Sequence, residues 1–281
     1  MTMFEKIKRL FTPAKSMDAH EARSFMENHK EGTYTLLDVR QPKEYEQSHI
    51  PGSTLIPLGE LSDSYDRLDR KKPIIVHCAI GGRSRIAAQM LSGEGFEEVY
   101  NLSGGIFAWN GGVAEGPVEL NLDMVRGDES PVEIIKLAYG MEMSLGRFYQ
   151  DIQARAQDKE LKVLASMLAS VEEKHKRFLL GLYRDLDPSG PSDREFDAEV
   201  TTTVLEGGFE RDEFKRKNER FLDSVPSVLD LAMMLEAQAL DLYLRFSRRT
   251  QNEQTRETLH RIADEEKEHI RSLARLREER S

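Results

Sequence analysis

Two short patterns, each written twice, gather the metal-ligating side chains of this 281-residue chain. Ala-x2-Glu-x2-His-x3-Leu occurs as Ala169, Glu172, His175, Leu179 and as Ala263, Glu266, His269, Leu273. Ala-x3-Glu-x6-Tyr occurs as Ala138, Glu142, Tyr149 and as Ala232, Glu236, Tyr243. On a helix, a His three residues after a Glu stands about 4.5 Å further along the axis on the same face, so carboxylate and imidazole can reach one cation. A separate chemistry attaches to Cys78, the only cysteine, which ends the apolar run of "PIIVHCAIGGRSRIAAQML" before a glycine-containing loop and a helix start. Loop N–H groups and the positive end of a helix stabilise an anion on sulfur, so this thiol is placed to act as a thiolate nucleophile.

Whether the four acids face inward follows from the neighbours they keep at helical spacing. Glu142 shares its face with Ile135, Ala138, Leu145 and Tyr149, and Glu172 shares its own with Ala165, Leu168, His175 and Leu179. Glu236 lies with Leu229, Ala232, Ala239, Leu240 and Tyr243, and Glu266 with Leu259, Ile262, His269, Ile270 and Leu273. The adjacent Glu173 and Glu265 fall on polar faces instead. An inward carboxylate buried as an unpaired ion costs several kcal/mol. No Lys or Arg occupies those faces to neutralise the charge, so metal cations are the expected partners. One Glu from each of two helices plus Glu-x-x-His from each of two others is how helix bundles hold two iron or manganese ions, and imidazole suits iron. The expected ligands are Glu142, Glu172, His175, Glu236, Glu266 and His269, around two iron ions, with manganese or zinc as alternatives. Tyr149 and Tyr243 are expected either to pack the core or to stand behind the carboxylates.

The elements that must position these groups come in two grammars. Up to about residue 115, the short apolar runs "YTLLDV", "STLIPL", "PIIVHC" and "EEVYNL" alternate with Gly and Pro punctuation, which predicts a small parallel α/β sheet with flanking helices. From about residue 130, a period of 3.6 predicts four helices, at about 131–156, 159–186, 226–249 and 253–279. Short, long, short connections make these an all-α four-helix bundle of two hairpins joined by a crossover. Ser130, Pro131 and Glu133 supply an N-cap, a first helical position and a capping-box acid. The expected division is a leader helix over 1–14, an α/β domain over 15–118, a linker over 119–130 and the bundle over 131–281. The leader places Phe4, Ile7, Leu10 and Phe11 at helical spacing, but it lacks the features of a signal peptide.

At these residues, 15 to 118 resemble the single-domain rhodanese family. The carriers are Asp38-Val39-Arg40, Glu44-Tyr45, His49-Ile50-Pro51-Gly52, the loop "CAIGGRS" and the closing "NLSGGIFAW" through Trp109. The resemblance implies that Cys78 takes a sulfane sulfur as a persulfide and passes it to a thiophilic acceptor. Arg83 and the loop amides of Ala79, Ile80, Gly81, Gly82 and Ser84 would hold the outer sulfur, and Asp38 and Arg40 would support the loop or serve the strand end. The spacing Cys-x4-Arg is one residue shorter than the Cys-x5-Arg loop of cysteine phosphatases and arsenate reductases. Ala79 and Ile80 are neutral where thiosulfate-using relatives often carry basic residues, which points toward a polysulfide or persulfide donor.

Residues 130 to 280 resemble the ferritin-like superfamily, rubrerythrin-type proteins in particular. This implies a non-haem di-iron centre on the six ligands that reacts with peroxide or dioxygen. Ala239 stands one turn after Glu236, where rubrerythrins proper carry a further carboxylate. Their Cys-rich iron module is missing, so no Fe-S cluster and no haem are expected, and electrons must come from an external donor protein or a thiol. Bundle relatives suggest a homodimer.

Lys and Arg total 40 against 50 Asp and Glu, a net charge of −10, which argues against nucleic acid or an anionic membrane as partner. No stretch approaches the roughly 20 apolar residues of a membrane span, and one cysteine allows no internal disulfide, so a cytoplasmic protein is expected. The leading expectation is a sulfurtransferase fused to a di-iron oxidoreductase, in sulfur, persulfide or peroxide metabolism. Two alternatives stand beside it: a di-iron peroxidase-like enzyme whose rhodanese domain binds or senses persulfide, and an iron-binding structural bundle beside a working sulfurtransferase.

Overall fold

Five short parallel strands form the first sheet: β1 (Lys15–Met17), β2 (Thr35–Asp38), β3 (Thr54–Leu55), β4 (Ile74–His77) and β5 (Val99–Leu102), in the spatial order β1-β5-β4-β2-β3. The computed structural model describes residues 14–200 and 202–279. Apart from Ala14, the leader expected over 1–14 lies outside them. The chain parts into two compact units between Leu120 and Asn121.

In the first unit, α1 (Ala19–Asn28), α2 (Pro42–Gln47), α3 (Gly82–Gly93) and α4 (Gly105–Ala108) cover the sheet. The central strands read as unbroken apolar runs because both of their faces are buried. Leu37 and Val76 enter one cluster with Ala87 and Leu91, while Leu36 and Ile75 enter the opposite one with Ala22 and Ile106. This alternation is the period of two of a strand. The sequence reading missed β1: its "KSM" has no apolar run, and it becomes a strand by pairing with β5 from Lys15 opposite Tyr100 to Met17 opposite Leu102.

The second unit is built on four long helices, α5 (Pro131–Arg155), α6 (Lys159–Leu186), α9 (Val225–Arg249) and α10 (Glu253–Glu278), with α7 (Asp193–Glu199) and α8 (Arg211–Asn218) in the crossover. The caps explain the starts. Ser130 accepts from the Glu133 N–H while the Glu133 carboxylate accepts from the Ser130 N–H; the Asp158 and Asn252 side chains accept from the Leu161 and Thr255 N–H groups, with no reciprocal bond. Each such cap contributes about 1 kcal/mol. The two helices of the crossover were not expected from the sequence.

The bundle core falls into two slabs. One takes residues 134–143 of α5, 179–183 of α6, 239–246 of α9 and 259–263 of α10. The other takes residues 145–152 of α5 with Ala156 just after it, 161–169 of α6, 228–235 of α9 and Leu273 of α10. On α6, α9 and α10 the gap between slabs holds Glu172 and His175, Glu236, and Glu266 and His269, and on α5 Glu142 lies at the edge of the first slab. A polar layer therefore crosses the bundle where the apolar core is interrupted.

Candidate functional site

β4 ends at His77, and Cys78 follows as the first residue of the loop into α3. The Gly81 N–H donates to Cys78 Sγ at 3.1 Å. The Ser84 hydroxyl lies 3.4 Å from the same sulfur and 2.7 Å from Asn101 Oδ1, so two acceptors compete for one proton. Burial alone would raise the thiol pKa. The Ser84 hydroxyl and the amides of Ser84, Ile80 and Gly81 outweigh it, and the thiol lies below its ordinary value. The loop is clamped from behind by α4: the Ile106 N–H donates to Cys78 O at 2.8 Å and the Phe107 N–H to Ala79 O at 3.1 Å. Only glycine allows that approach at residue 105, where a Cβ would stand 2.3 Å from Cys78 O. Ile80 and Phe107 are 69% and 79% exposed, so the rim of the loop is apolar.

Arg83, expected to hold the outer sulfur, gives both terminal nitrogens to Glu44, with Nη1 at 2.7 Å and Nη2 at 2.6 Å from its oxygens. These hydrogen bonds hold the Glu44 carboxyl down to about 2. Asp38 and Arg40, expected to support the loop or to serve the strand end, bond to each other. Arg40 Nε and Nη2 donate to the Asp38 carboxylate at 2.6 to 3.0 Å, and Nη2 also donates to Ser48 O at 2.7 Å. The pair ties the end of β2 to the segment after α2, which is a fold-holding job. His77 is fully buried with no hydrogen bond to either ring nitrogen. Burial pushes it down to about 4, against a smaller opposing pull from Asp38.

In the bundle, the six expected ligands come together as two matching triads. His175 Nδ1 lies 3.3 Å from Glu142 Oε2 and 3.0 Å from Glu172 Oε2. His269 Nδ1 lies 3.3 Å from Glu236 Oε2 and 3.2 Å from Glu266 Oε2. The two imidazoles stack at 3.4 Å between ring centres. All four carboxylates are at most 2% exposed. Burial first, then neighbouring carboxylates, drives Glu142 well above the usual range, and burial raises Glu266 to about 8. Burial lowers His269, but Glu266 and Glu236 outweigh it and push it up to about 12. Burial and crowding of this kind oppose the charged form of the carboxyls, a cost that bound cations would relieve.

One residue of the box escaped the sequence reading. Glu206 belongs to the crossover, at the 3-10 turn Glu206–Gly208, and is fully buried. Its oxygen, one from Glu142 and one from Glu266 lie within 4.8 Å of one another. No period marks this residue, since it sits in a loop; the only local signal is the "EGG" that follows Leu205. Tyr149 is buried with its hydroxyl unpartnered, and Tyr243 places its hydroxyl 3.8 Å from Met141 Sδ rather than on a carboxylate. Burial and the surrounding carboxylates raise both phenols well above their ordinary value.

The donor set fits metal on the structure's own terms. Each triad offers two carboxylates and one imidazole within 4.8 Å of one another, and both oxygens of the buried Glu206 are without a hydrogen-bond partner. Oxygen and nitrogen ligands of this kind suit iron or manganese. A cavity of about 220 Å³, lined by Lys174, Phe178, Ile262 and Glu265 with both histidines, opens onto the box.

Comparison with known proteins agrees with this division. A Rhodanese-like domain model matches residues 20–111, and a Rubrerythrin model matches residues 227–281, the second hairpin of the bundle. An uncharacterised protein of Bacillus subtilis, YqhL, is 42% identical over 76 residues, which are 27% of this chain and 60% of that protein. Thiosulfate sulfurtransferase GlpE of Pseudomonas syringae is 39% identical over 74 residues, 26% of this chain and 70% of its own length. The chain thus spans less than two thirds of YqhL. Among solved structures, a rhodanese-like domain protein of Staphylococcus aureus aligns at 27% identity and a TM-score of 0.32, over 34% of this chain and 91% of its own. The chain belongs to the rhodanese-like family and joins to that domain, in one polypeptide, a rubrerythrin domain.

Proposed function

We propose that the chain is a sulfurtransferase fused to a di-iron oxidoreductase that consumes peroxide or dioxygen. The observation that carries the first half is the aim of the loop N–H groups and the Ser84 hydroxyl at Cys78 Sγ, which lowers the thiol pKa despite burial. Cys78 Sγ attacks the outer sulfur of a donor R–S–S⁻. A new S–S bond forms at Cys78, the donor's S–S bond breaks, and R–S⁻ leaves with that bond's electron pair. The loop amides hold the terminal sulfur of the resulting persulfide until a thiolate acceptor removes it. A persulfide donor is favoured over thiosulfate because Arg83 is neutralised by Glu44 and the loop rim is apolar. The test is a sulfur-transfer assay with persulfide and thiosulfate donors on the wild type and Cys78→Ser. Transfer that survives Cys78→Ser sinks the assignment.

In the bundle, Glu142, Glu172 and His175 would hold one ion, and Glu236, Glu266 and His269 the other. A pair of iron ions bound there would supply electrons to an oxidant. The protein's own contribution is a buried site with matched triads, entered from a small cavity that admits a small oxidant. Phe178 and Ile262 give the cavity apolar lining, and the external reductant is an electron-donor protein or thiol. Elemental analysis of protein purified without air, compared with Glu142→Ala and Glu266→Ala, tests the centre. Unchanged metal content in both variants removes it.

A further inference from the structure

Glu206 is the one member of the carboxylate box that no long helix carries. It is 0% exposed, and neither of its oxygens has a hydrogen-bond partner. A buried carboxylate left unpartnered costs several kcal/mol, so a fold that keeps one holds it for a ligand.

The turn that presents it is built tightly. The Leu205 N–H donates to Phe209 O at 2.7 Å, the Gly208 N–H to Leu205 O at 3.0 Å and the Arg211 N–H to Thr203 O at 2.8 Å. Asn121 Nδ2 donates to Gly207 O at 2.8 Å. Gly207 takes φ +75°, and a Cβ there would stand 2.6 Å from Gln238 Cβ, so the turn is pressed against α9 where only glycine fits. Leu205 anchors it in the apolar slab beside the box. The side chain is thus aimed by backbone geometry, not by chance collapse of a loop.

Its placement differs from that of the other acids. Glu142 and Glu236 each belong to one triad, with one histidine. Glu206 instead meets Glu142 of the first hairpin and Glu266 of the second, so its oxygen stands between the triads. Ala239, a buried residue one turn after Glu236, offers no donor atom on the third long helix.

We propose that Glu206 is a fifth carboxylate ligand of the dinuclear centre, supplied by the crossover rather than by a long helix, so that metal loading ties the crossover to both hairpins. This rests on the dinuclear reading above. Five carboxylates exceed the charge of two divalent ions by one, which favours a site that also holds a more highly charged state.

The test uses the full chain, stripped of metal and titrated with Mn(II), as wild type, Glu206→Gln and Glu206→Asp. Affinity for at least one of the two ions is expected to fall tenfold or more in Glu206→Gln. Metal is also expected to slow hydrogen exchange of the amides at 204–210 in the wild type and to leave it unchanged in Glu206→Gln. The metal-free Glu206→Gln protein should unfold at the same or a higher temperature than metal-free wild type, since an unpartnered buried carboxylate is gone; a residue that only holds the fold would lower it. Where Gln does not fold, Glu206→Asp, which keeps the charge and retracts it by one methylene, replaces it, with weakened loading expected. Two-ion loading within twofold of wild type in these variants overturns this proposal alone. A wild type that binds no metal overturns the dinuclear reading with it.

Discussion

Arg83 and Glu44, 39 residues apart in sequence, close a two-point ion pair beside the Cys78 loop. The Arg83 hydrogen bond is the main cause that holds the Glu44 carboxyl at about 2, against an ordinary 4.5. A carboxylate with a lowered folded pKa contributes stability that is present above about 4.5 and lost as pH falls toward 2. The pair is about one-third exposed, so its contribution is about 0.5 to 1 kcal/mol. Glu44→Gln should lower thermal stability by that amount near neutral pH and by less near pH 2. It should also free the guanidinium for an anion, improving the use of thiosulfate relative to a persulfide. Unchanged donor preference would mean that Arg83 does not set it.

The thiol makes a second prediction. Because its pKa lies below the ordinary value, alkylation of Cys78 by iodoacetamide should show a pH midpoint below that of a free cysteine, about 8.5. Ser84→Ala removes the hydroxyl contact to Cys78 Sγ and should move the midpoint up, while leaving the fold of the first unit intact by circular dichroism. A midpoint at or above that of free cysteine would show that burial wins over the loop donors.

His77 makes an acid-labile point in the same unit. Burial lowers it to about 4 from 6.5, so the unfolded chain binds its proton first. Stability is unaffected above about 6.5, falls as pH drops through the interval to 4, and levels off below. The full loss is about 3 kcal/mol. Urea unfolding of the first unit followed from pH 7 to 4 measures it, and His77→Gln should flatten that interval.

Metal should stabilise the bundle unit strongly, since its buried carboxylates lose their mutual repulsion. Loading at one hundred times the dissociation constant adds about 2.7 kcal/mol for a single site. Chelation of the wild type should therefore lower the melting temperature of the bundle, and Glu142→Ala and Glu266→Ala should bind less metal and show a smaller difference between loaded and stripped protein. Equal melting with and without metal would speak against the centre.

The sequence alone determined what is periodic or local. Six donors recur at helical spacing, so their shared faces follow from 3.6 residues per turn. The helix starts follow from caps within three residues, and the thiolate loop follows from a strand, a glycine loop and a helix in succession. Tertiary structure decided what depends on remote partners. β1 exists because β5 offers it a paired edge, and Arg83 meets Glu44 because the sheet brings α2 to the start of α3. Asp38 and Arg40, two residues apart, close on each other instead of the loop. Glu206 enters the box because a glycine turn pressed on α9 aims it there. A loop residue has no period to announce its direction, and its burial is settled only when the hairpins on either side have packed.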